Sequence, residues 1–276
     1  MEDEGNFSSK AKGIVTIVVI ALICLIAYFV YDNLLKPVRS IGTTSSTVTN
    51  AMKLITSINS LRGTDEPADS LYTDYAITTD NLSDKDKSWI VYSHITDKLT
   101  NLTFTCSALK GYYDTLYNDC NKYGVDYTFV LMAQKLQFSD FSSEYNTIFG
   151  SNSEPSTSNF GSVGVNGYYS KNNNDFLILT YSGVGGTDTR FVLRSLKDAT
   201  TYPDKLEVEQ YYALCSIGSD STGLKCTAGT KTVKEDEKIT TATGLDVTTF
   251  GRLYKFTFNK NADGSYYWYS TEPVEK

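Results

Sequence analysis

The chain contains a single histidine, His94, which limits the catalytic chemistry that the sequence can support. Any Ser-His-Asp or Cys-His mechanism would have to use His94, and a metal site with several histidines is excluded. The residues just before it, 89–92, read Trp-Ile-Val-Tyr, which indicates a half-buried helix with a packed or surface histidine. We therefore predict no catalytic residues, no metal site and no cofactor.

Carboxylates are the other side chains on which an enzyme could be built here. Asp175, Asp188 and Glu207 are the candidates, because a pair of carboxylates in one cleft can act as general acid and base. A close pair of these carboxylates in a cleft would support such a site. An enzyme with a carboxylate-based site is therefore an alternative interpretation.

Two loops imitate known ligand-binding motifs. Residues 259–264 resemble the start of an EF-hand loop, with Gly at the sixth position, but Ser270 stands where the bidentate glutamate is needed. Residues 183–190 are rich in glycine but lack the Gly-Lys-Ser/Thr ending of a phosphate-binding loop. We interpret the first as a hairpin turn and the second as a loop between strands.

A run of aromatic residues near the C-terminus could bind a ligand by stacking. Side chains alternate across a strand, so residues 266–269 point to both faces of a sheet. Tyr267, Trp268 and Tyr269 are therefore candidate binding residues for a sugar or a peptide. The alternative is that both faces of this strand are buried by packing.

Four cysteines lie beyond the N-terminal apolar run and predict two disulfides in an oxidising compartment. Cys215 and Cys226 flank a turn-rich loop and are the favoured pair. Cys106 and Cys120 flank a helical-looking stretch, and a straight helix would separate them by about 21 Å. They can pair only if the helix breaks, for which Gly111 is the candidate. Four free thiols in a reducing compartment are the alternative.

The N-terminal part contains an uncharged apolar run, residues 14–31, in which Thr16 is the single polar interruption. As a helix it would span about 27 Å, close to the thickness of the hydrocarbon core of a bilayer. The sequence therefore predicts a transmembrane helix over residues 13–31, embedded in the lipid bilayer. A signal peptide or a buried core helix is the alternative.

The orientation of this helix depends on weak signals. Lys10 and Lys12 on one side are balanced by Lys36 and Arg39 on the other. A short N-terminal tail, residues 1–12, and the cysteines of the larger part favour a cytoplasmic N-terminus. We expect a single-pass protein of the cell membrane whose C-terminal domain is extracytoplasmic.

Composition restricts the partners of the folded part. The net charge is -7, with 32 acidic and 25 basic residues, so no basic stripe for a phosphate backbone is expected. Hydrophobic residues make up 41% and aromatic residues 13%, which is typical of a chain that folds. Nucleic acid is therefore excluded, and a protein or a cell-envelope polymer is the expected partner.

Hydrophobic periodicity predicts an α+β fold in which a helical segment precedes a mainly antiparallel β-sheet. After a juxtamembrane stalk, residues 32–47, we expect a mainly helical region over 48–150 and a β-rich extracytoplasmic domain over 151–276. The expected helices are 48–61, 88–97, 108–123, 127–136 and 141–149. The expected strands are 176–181, 191–196, 205–214 and a terminal hairpin over 254–269, while 227–249 is a long exposed loop or a weak strand pair.

Several segments carry a resemblance. Residues 148–150 (Ile-Phe-Gly), 167–169 (Gly-Tyr-Tyr), the glycines of 183–186 and the terminal YKFTFNKNADGSYYWYSTEP are similar to uncharacterised membrane-anchored proteins of low-GC Gram-positive bacteria. The resemblance covers residues 141–276. It implies a bacterial cell-surface setting and a layout of helices followed by sheet, with no known activity.

Together these features favour a membrane-anchored, non-enzymatic module that binds a partner through its C-terminal sheet. A structural assembly subunit is the alternative, because Gly13 followed by an apolar helix is loosely similar to type IV pilin-like proteins. Val18 stands where those proteins usually carry Glu. Processing after Gly13 would be required for that interpretation.

Overall fold

The fold is known from a computed structural model of the 276-residue chain. The structure describes residues 18–28, 30, 39–56, 67–124, 130–162, 164–181, 189–218, 223–239, 241 and 243–274. The predicted α+β class is confirmed, because helices accompany two antiparallel sheets. The helices of the folded part are α1 (Ser46–Lys53), α2 (Asp84–His94), α3 (Asp114–Tyr123) and α4 (Phe138–Phe149).

The predicted membrane anchor lies only partly within the described residues. Residues 18–28 are helical, and their large apolar side chains are between 47% exposed, at Val19, and 66% exposed, at Tyr28. Within the described chain, no helix has both the length and the apolar character that crossing a bilayer requires. The anchor over residues 13–31 therefore stays a prediction, as does pilin-like processing after Gly13.

The large sheet has eight strands, six of which follow the order β1-β8-β9-β12-β13-β2, while β10 pairs with β9 and with β11. Its inward positions carry apolar side chains such as Val208, Phe256 and Trp268, each 0% exposed. The predicted terminal hairpin is confirmed as β12 paired with β13. The strands are β1 (Arg39–Ser40), β2 (Ile77–Thr78), β8 (Thr189–Thr201), β9 (Lys205–Ile217), β10 (Leu224–Ala228), β11 (Lys231–Asp236), β12 (Arg252–Lys260) and β13 (Tyr266–Pro273).

The small sheet has five strands in the order β3-β4-β7-β6-β5 and takes strands from both sides of residue 150. The helix predicted over 127–136 is wrong where it is described, because residues from Val130 onward form a strand. A short apolar run is compatible with both the helical and the strand periodicity. This segment forms a strand because it pairs with β3 on one side and with β7 on the other. The strands are β3 (Thr100–Leu102), β4 (Val130–Gln137), β5 (Phe160–Ser162), β6 (Val165–Ser170) and β7 (Asp175–Tyr181).

Helix α4 connects the cores of the two sheets. Near its start, the ring of Phe141 lies 4.7 Å from that of Phe176 on β7, and at its end Phe149 meets Trp268 edge-on at 5.9 Å. Gly150 terminates the helix with φ 96°, and an added Cβ would stand 3.0 Å from the Tyr267 ring. A side chain at this position would therefore be strained and would crowd the large sheet.

Candidate functional site: a lysine-lined cleft

A cleft of about 440 Å³ opens beside the small sheet, between β3, β4, the β6–β7 turn and the segment that follows β3. Its volume falls in the range of pockets that hold small organic ligands. We call it the lysine-lined cleft, because two of its nine described lining residues are lysines and none is acidic. The lining residues are Leu102, Thr103, Thr105, Ser107, Ala108, Lys110, Tyr112, Lys135 and Asn173.

One wall of the cleft is a loop that is held by a disulfide. Cys106 and Cys120 are bonded, with Cα atoms 5.4 Å apart, so the chain must reverse between them. It does so because a 3-10 helix, Cys106–Leu109, ends before Gly111, whose φ is 80°, and α3 begins only afterwards. The predicted break at Gly111 is confirmed, and Ser107, Ala108 and Lys110, which precede it, line the cleft.

The loop is anchored on the outer face of the small sheet. Leu109 is 0% exposed and packs in a small apolar cluster with Ala133, Leu177 and Leu179. The hydroxyls of Thr105 and Ser107 lie 2.8 Å apart and hydrogen-bond to each other. Apolar burial on one side of the loop therefore leaves its polar side chains on the side that lines the cleft.

Beneath the cleft lies a buried carboxylate, Asp175, which is 3% exposed at the start of β7. The Tyr112 hydroxyl donates a hydrogen bond of 2.5 Å to its Oδ1, and Nζ of Lys135 lies 3.4 Å from its Oδ2. A buried carboxylate needs such partners because burial removes its hydration. Asp175 thereby fixes the positions of two residues that line the cleft.

The protonation state of the Tyr112 hydroxyl determines whether it donates or accepts a hydrogen bond. Burial, together with the hydrogen bond to Asp175, raises the pKa of the Tyr112 hydroxyl well above its usual range. The phenol therefore keeps its proton near neutral pH and donates a hydrogen bond rather than acting as a base. The lysine-lined cleft offers a ligand positive charge, hydroxyl groups and the Asn173 amide.

His94 lies outside this cleft, at the end of α2. Its side chain is 5% exposed, with Nδ1 3.8 Å from Oε1 of Glu144. Burial lowers the pKa of His94 to about 4, so the imidazole is neutral near pH 7 and the contact is not an ion pair. Burial and the nearby Asp97 raise the pKa of Glu144. His94 is thus packed, as the sequence predicts.

The two candidate carboxylates that the structure describes, Asp175 and Glu207, are not brought together. Asp175 lies under the cleft, whereas Glu207 is on the large sheet, 2.6 Å from Nζ of Lys205. Asp188 lies outside the described residues. Within the described chain, no three His, Cys, Asp or Glu side chains form a group that could hold a metal ion.

The candidate binding aromatics differ from one another in exposure. Trp268 is 0% exposed, and its Nε1 donates a 2.9 Å hydrogen bond to Thr271, so it belongs to the core. Tyr267 lies against Gly150. Tyr269 is 40% exposed. Of the three, Tyr269 is the residue that a ligand can reach most easily, and binding by these aromatics stays a prediction.

The second disulfide joins two strands of the large sheet. Cys215 and Cys226 are bonded, with Cα atoms 4.0 Å apart, as neighbours on the paired strands β9 and β10. Both predicted cysteine pairs are therefore confirmed.

The loop that resembles an EF-hand start is a hairpin turn, as predicted: within residues 261–265, Asp263 accepts a hydrogen bond from the Ser265 amide. In the glycine-rich loop, residues 183–188 lie outside the described residues.

Sequence reasoning named Asp175 but missed the cleft above it. Lys135 and Asp175 become neighbours only through the pairing of β4 with β7, in which Lys135 is opposite Leu177. Because β4 was expected to be a helix, this contact could not be foreseen. For Lys110, the only signal was its position between two bonded cysteines.

The chain was compared with family models, with curated proteins and with solved structures. No family model, no curated protein and no solved structure matches it.

Proposed function

We propose that the chain is a membrane-anchored cell-surface protein that binds a partner in the lysine-lined cleft and catalyses no reaction on it. The observation that carries the proposal is the cleft itself. Its volume of about 440 Å³ suits an organic ligand, and its lining combines charge, hydroxyl groups and an aromatic ring. The cleft, rather than the terminal strand, is thus the proposed binding site.

The arrangement of polar groups favours binding over catalysis. A nucleophilic hydroxyl needs an adjacent base, and the hydroxyls of Thr105 and Ser107 instead bond to each other. The carboxylate that contacts lining residues of the cleft, Asp175, already accepts from Tyr112 and faces Lys135. These groups hold fixed positions, as a recognition site requires.

Two observations support the proposed location. Residues 18–28 form a helical stretch whose apolar side chains are exposed, which fits a segment that is covered by lipid rather than by the protein core. Two disulfides fit an oxidising compartment outside the cytoplasm. Protease added to intact cells should therefore remove a C-terminal epitope tag, and protection of the tag would contradict the proposed orientation.

Binding at the cleft can be tested without assuming the charge of the ligand. Ala108 lines the cleft and is half-buried, so Ala108→Trp should fill the cleft with a bulky side chain. The full chain in nonionic detergent is applied to an array of purified glycans and cell-envelope polymers. We expect at least one polymer to bind to the wild type and to be lost from Ala108→Trp.

The matched control is Ala262→Trp. Ala262 is exposed in the turn between β12 and β13 of the large sheet, so the same substitution there leaves the cleft open. It should bind as the wild type does. The proposal is wrong if no polymer binds, or if Ala108→Trp folds and still binds with unchanged affinity.

A further inference from the structure

The charge of the cleft differs from that of the chain that carries it. The protein has a net charge of -7, yet the described lining of the cleft contains Lys110 and Lys135 and no acidic side chain. Because the chain as a whole is negatively charged, the two lysines make the cleft a local site where an anion would be attracted. Charge thus restricts the class of ligand.

The two lysines contribute differently. Lys135 faces the buried Asp175, so part of its charge is compensated from below. Lys110 is exposed, and none of the ion pairs between described residues includes it. Among the described residues, Lys110 is therefore the cleft lysine without a carboxylate in ion-pair contact, although Asp114 lies nearby, with its Oδ1 3.4 Å from the Gly111 amide.

The type of cation and its neighbours favour a phosphate group. The ammonium group of lysine is a compact point charge with three donors, and it binds phosphate oxygens in this way in many phosphate sites. The hydroxyls of Thr103, Thr105 and Ser107 can donate to further oxygens or accept from ligand hydroxyls. The ring of Tyr112 and the side chain of Leu102 add apolar surface for an organic body.

We infer that the ligand of the lysine-lined cleft is a phosphate ester of a polyol or sugar, bound through Lys110. This inference rests on the cleft being the binding site proposed above. The volume of about 440 Å³ fits a phosphate together with its organic part. Such an ester could be a free small molecule, a repeating unit of a polymer or a lipid headgroup, and these sources share one chemistry.

Calorimetric titration of the full chain tests the inference. The protein is kept in a nonionic polyoxyethylene detergent, because phospholipids would compete for the site. The probes are glycerol 3-phosphate, poly(glycerol phosphate) and dihexanoyl phosphatidylglycerol, with glycerol as the neutral control. We expect phosphate-bearing probes to bind, more weakly at high salt, and the tightest of them to identify the source.

The decisive variant is Lys110→Gln, with Lys225→Gln as its control, since Lys225 is exposed on β10 of the large sheet. Loss of one charge-assisted contact should weaken phosphate binding roughly tenfold in the first variant, and the second should bind as the wild type does. The inference is overturned if glycerol binds as tightly as its phosphate, if no phosphate probe binds, or if Lys110→Gln keeps full affinity.

The two proposals fail in different ways. If Ala108→Trp abolishes binding of a polymer while Lys110→Gln leaves it intact, the cleft is the site and the ligand is not a phosphate ester. If Ala108→Trp binds normally, the proposed function itself is wrong.

Discussion

Tyr112 donates a hydrogen bond of 2.5 Å to Asp175, although 63 residues separate them in the chain. The bond joins the disulfide-held loop to the first residue of β7. Because Asp175 is 3% exposed, its carboxylate depends on Tyr112 and Lys135 in place of water. One contact therefore both satisfies a buried charge and holds the wall of the cleft on the sheet.

Removal of the Tyr112 hydroxyl should destabilise the fold. Tyr112→Phe keeps the ring but leaves Asp175 with a single charged partner, and we expect the free energy of unfolding to fall by about 1–3 kcal/mol. Urea unfolding followed by tryptophan fluorescence measures it, since Trp89 and Trp268 are both buried. Tyr113→Phe is the control, because Tyr113 stacks on Tyr168 through its ring. Equal stability of both variants would contradict the role of the hydroxyl.

Loss of the disulfide at the cleft should affect both stability and binding. Replacing Cys106 and Cys120 together by Ala should lower the free energy of unfolding by about 2–4 kcal/mol, because the unfolded chain gains freedom. It should also weaken ligand binding, since the wall that carries Lys110 is released. Replacing Cys215 and Cys226 by Ala should destabilise the large sheet but leave binding unchanged. Unaltered affinity after removal of the first disulfide would contradict the prediction.

Lowering the pH should destabilise the folded state because His94 is buried. Its pKa is about 4 in the folded state against 6.5 as the reference value, so the unfolded chain binds more protons between these pH values. The free energy of unfolding therefore falls as the pH is lowered from about 6.5 to about 4, by at most about 3 kcal/mol from this residue. Glu144, whose pKa is raised, offsets part of this loss.

The variant His94→Gln isolates this contribution. Urea unfolding at pH 7 and at pH 5 is compared for both proteins, and the loss of stability on acidification should be smaller in His94→Gln. The variant keeps every carboxylate of the wild type, so the contributions of the carboxylates cancel in the comparison. An equal loss in the two proteins would show that burial of His94 does not govern the acid sensitivity.

Substitutions of Trp268 and Tyr269 should affect stability differently, because the first lies in the core and the second on the surface. Trp268→Ala removes a fully buried side chain and should cost about 3–5 kcal/mol of stability, measured by circular dichroism during urea unfolding. Tyr269→Ala should leave stability nearly unchanged, because this side chain is 40% exposed. If Tyr269→Ala alone abolishes binding of an array polymer, the terminal strand takes part in recognition and the cleft is not the whole site.

Local patterns were sufficient where neighbouring residues determine the structure. The hairpin of β12 and β13 was predicted from alternation over residues 254–258, an Asn-Ala-Asp-Gly turn and the aromatic run that follows it. The helix over residues 141–149 was predicted from an N-cap candidate at Ser139 or Asp140 and from Gly150 just past its end. It is observed as Phe138–Phe149, with Gln137 as the N-cap residue. In the stretch 227–249, the weak strand pair offered as one alternative is observed in part, because β11 lies within the stretch and pairs with β10, which begins before it at Leu224.

The sequence by itself determined the α+β class and favoured the pair Cys215–Cys226, because these depend on periodicity and on a short turn-rich loop, whereas the pairing of Cys106 with Cys120 was left conditional on a helix break. Only the tertiary structure decided that β4 is a strand, since its partners β3 and β7 come from distant parts of the chain. The cleft follows from that pairing. Lys110, Tyr112, Lys135 and Asn173 are scattered in sequence, and no local pattern records that they share one cavity.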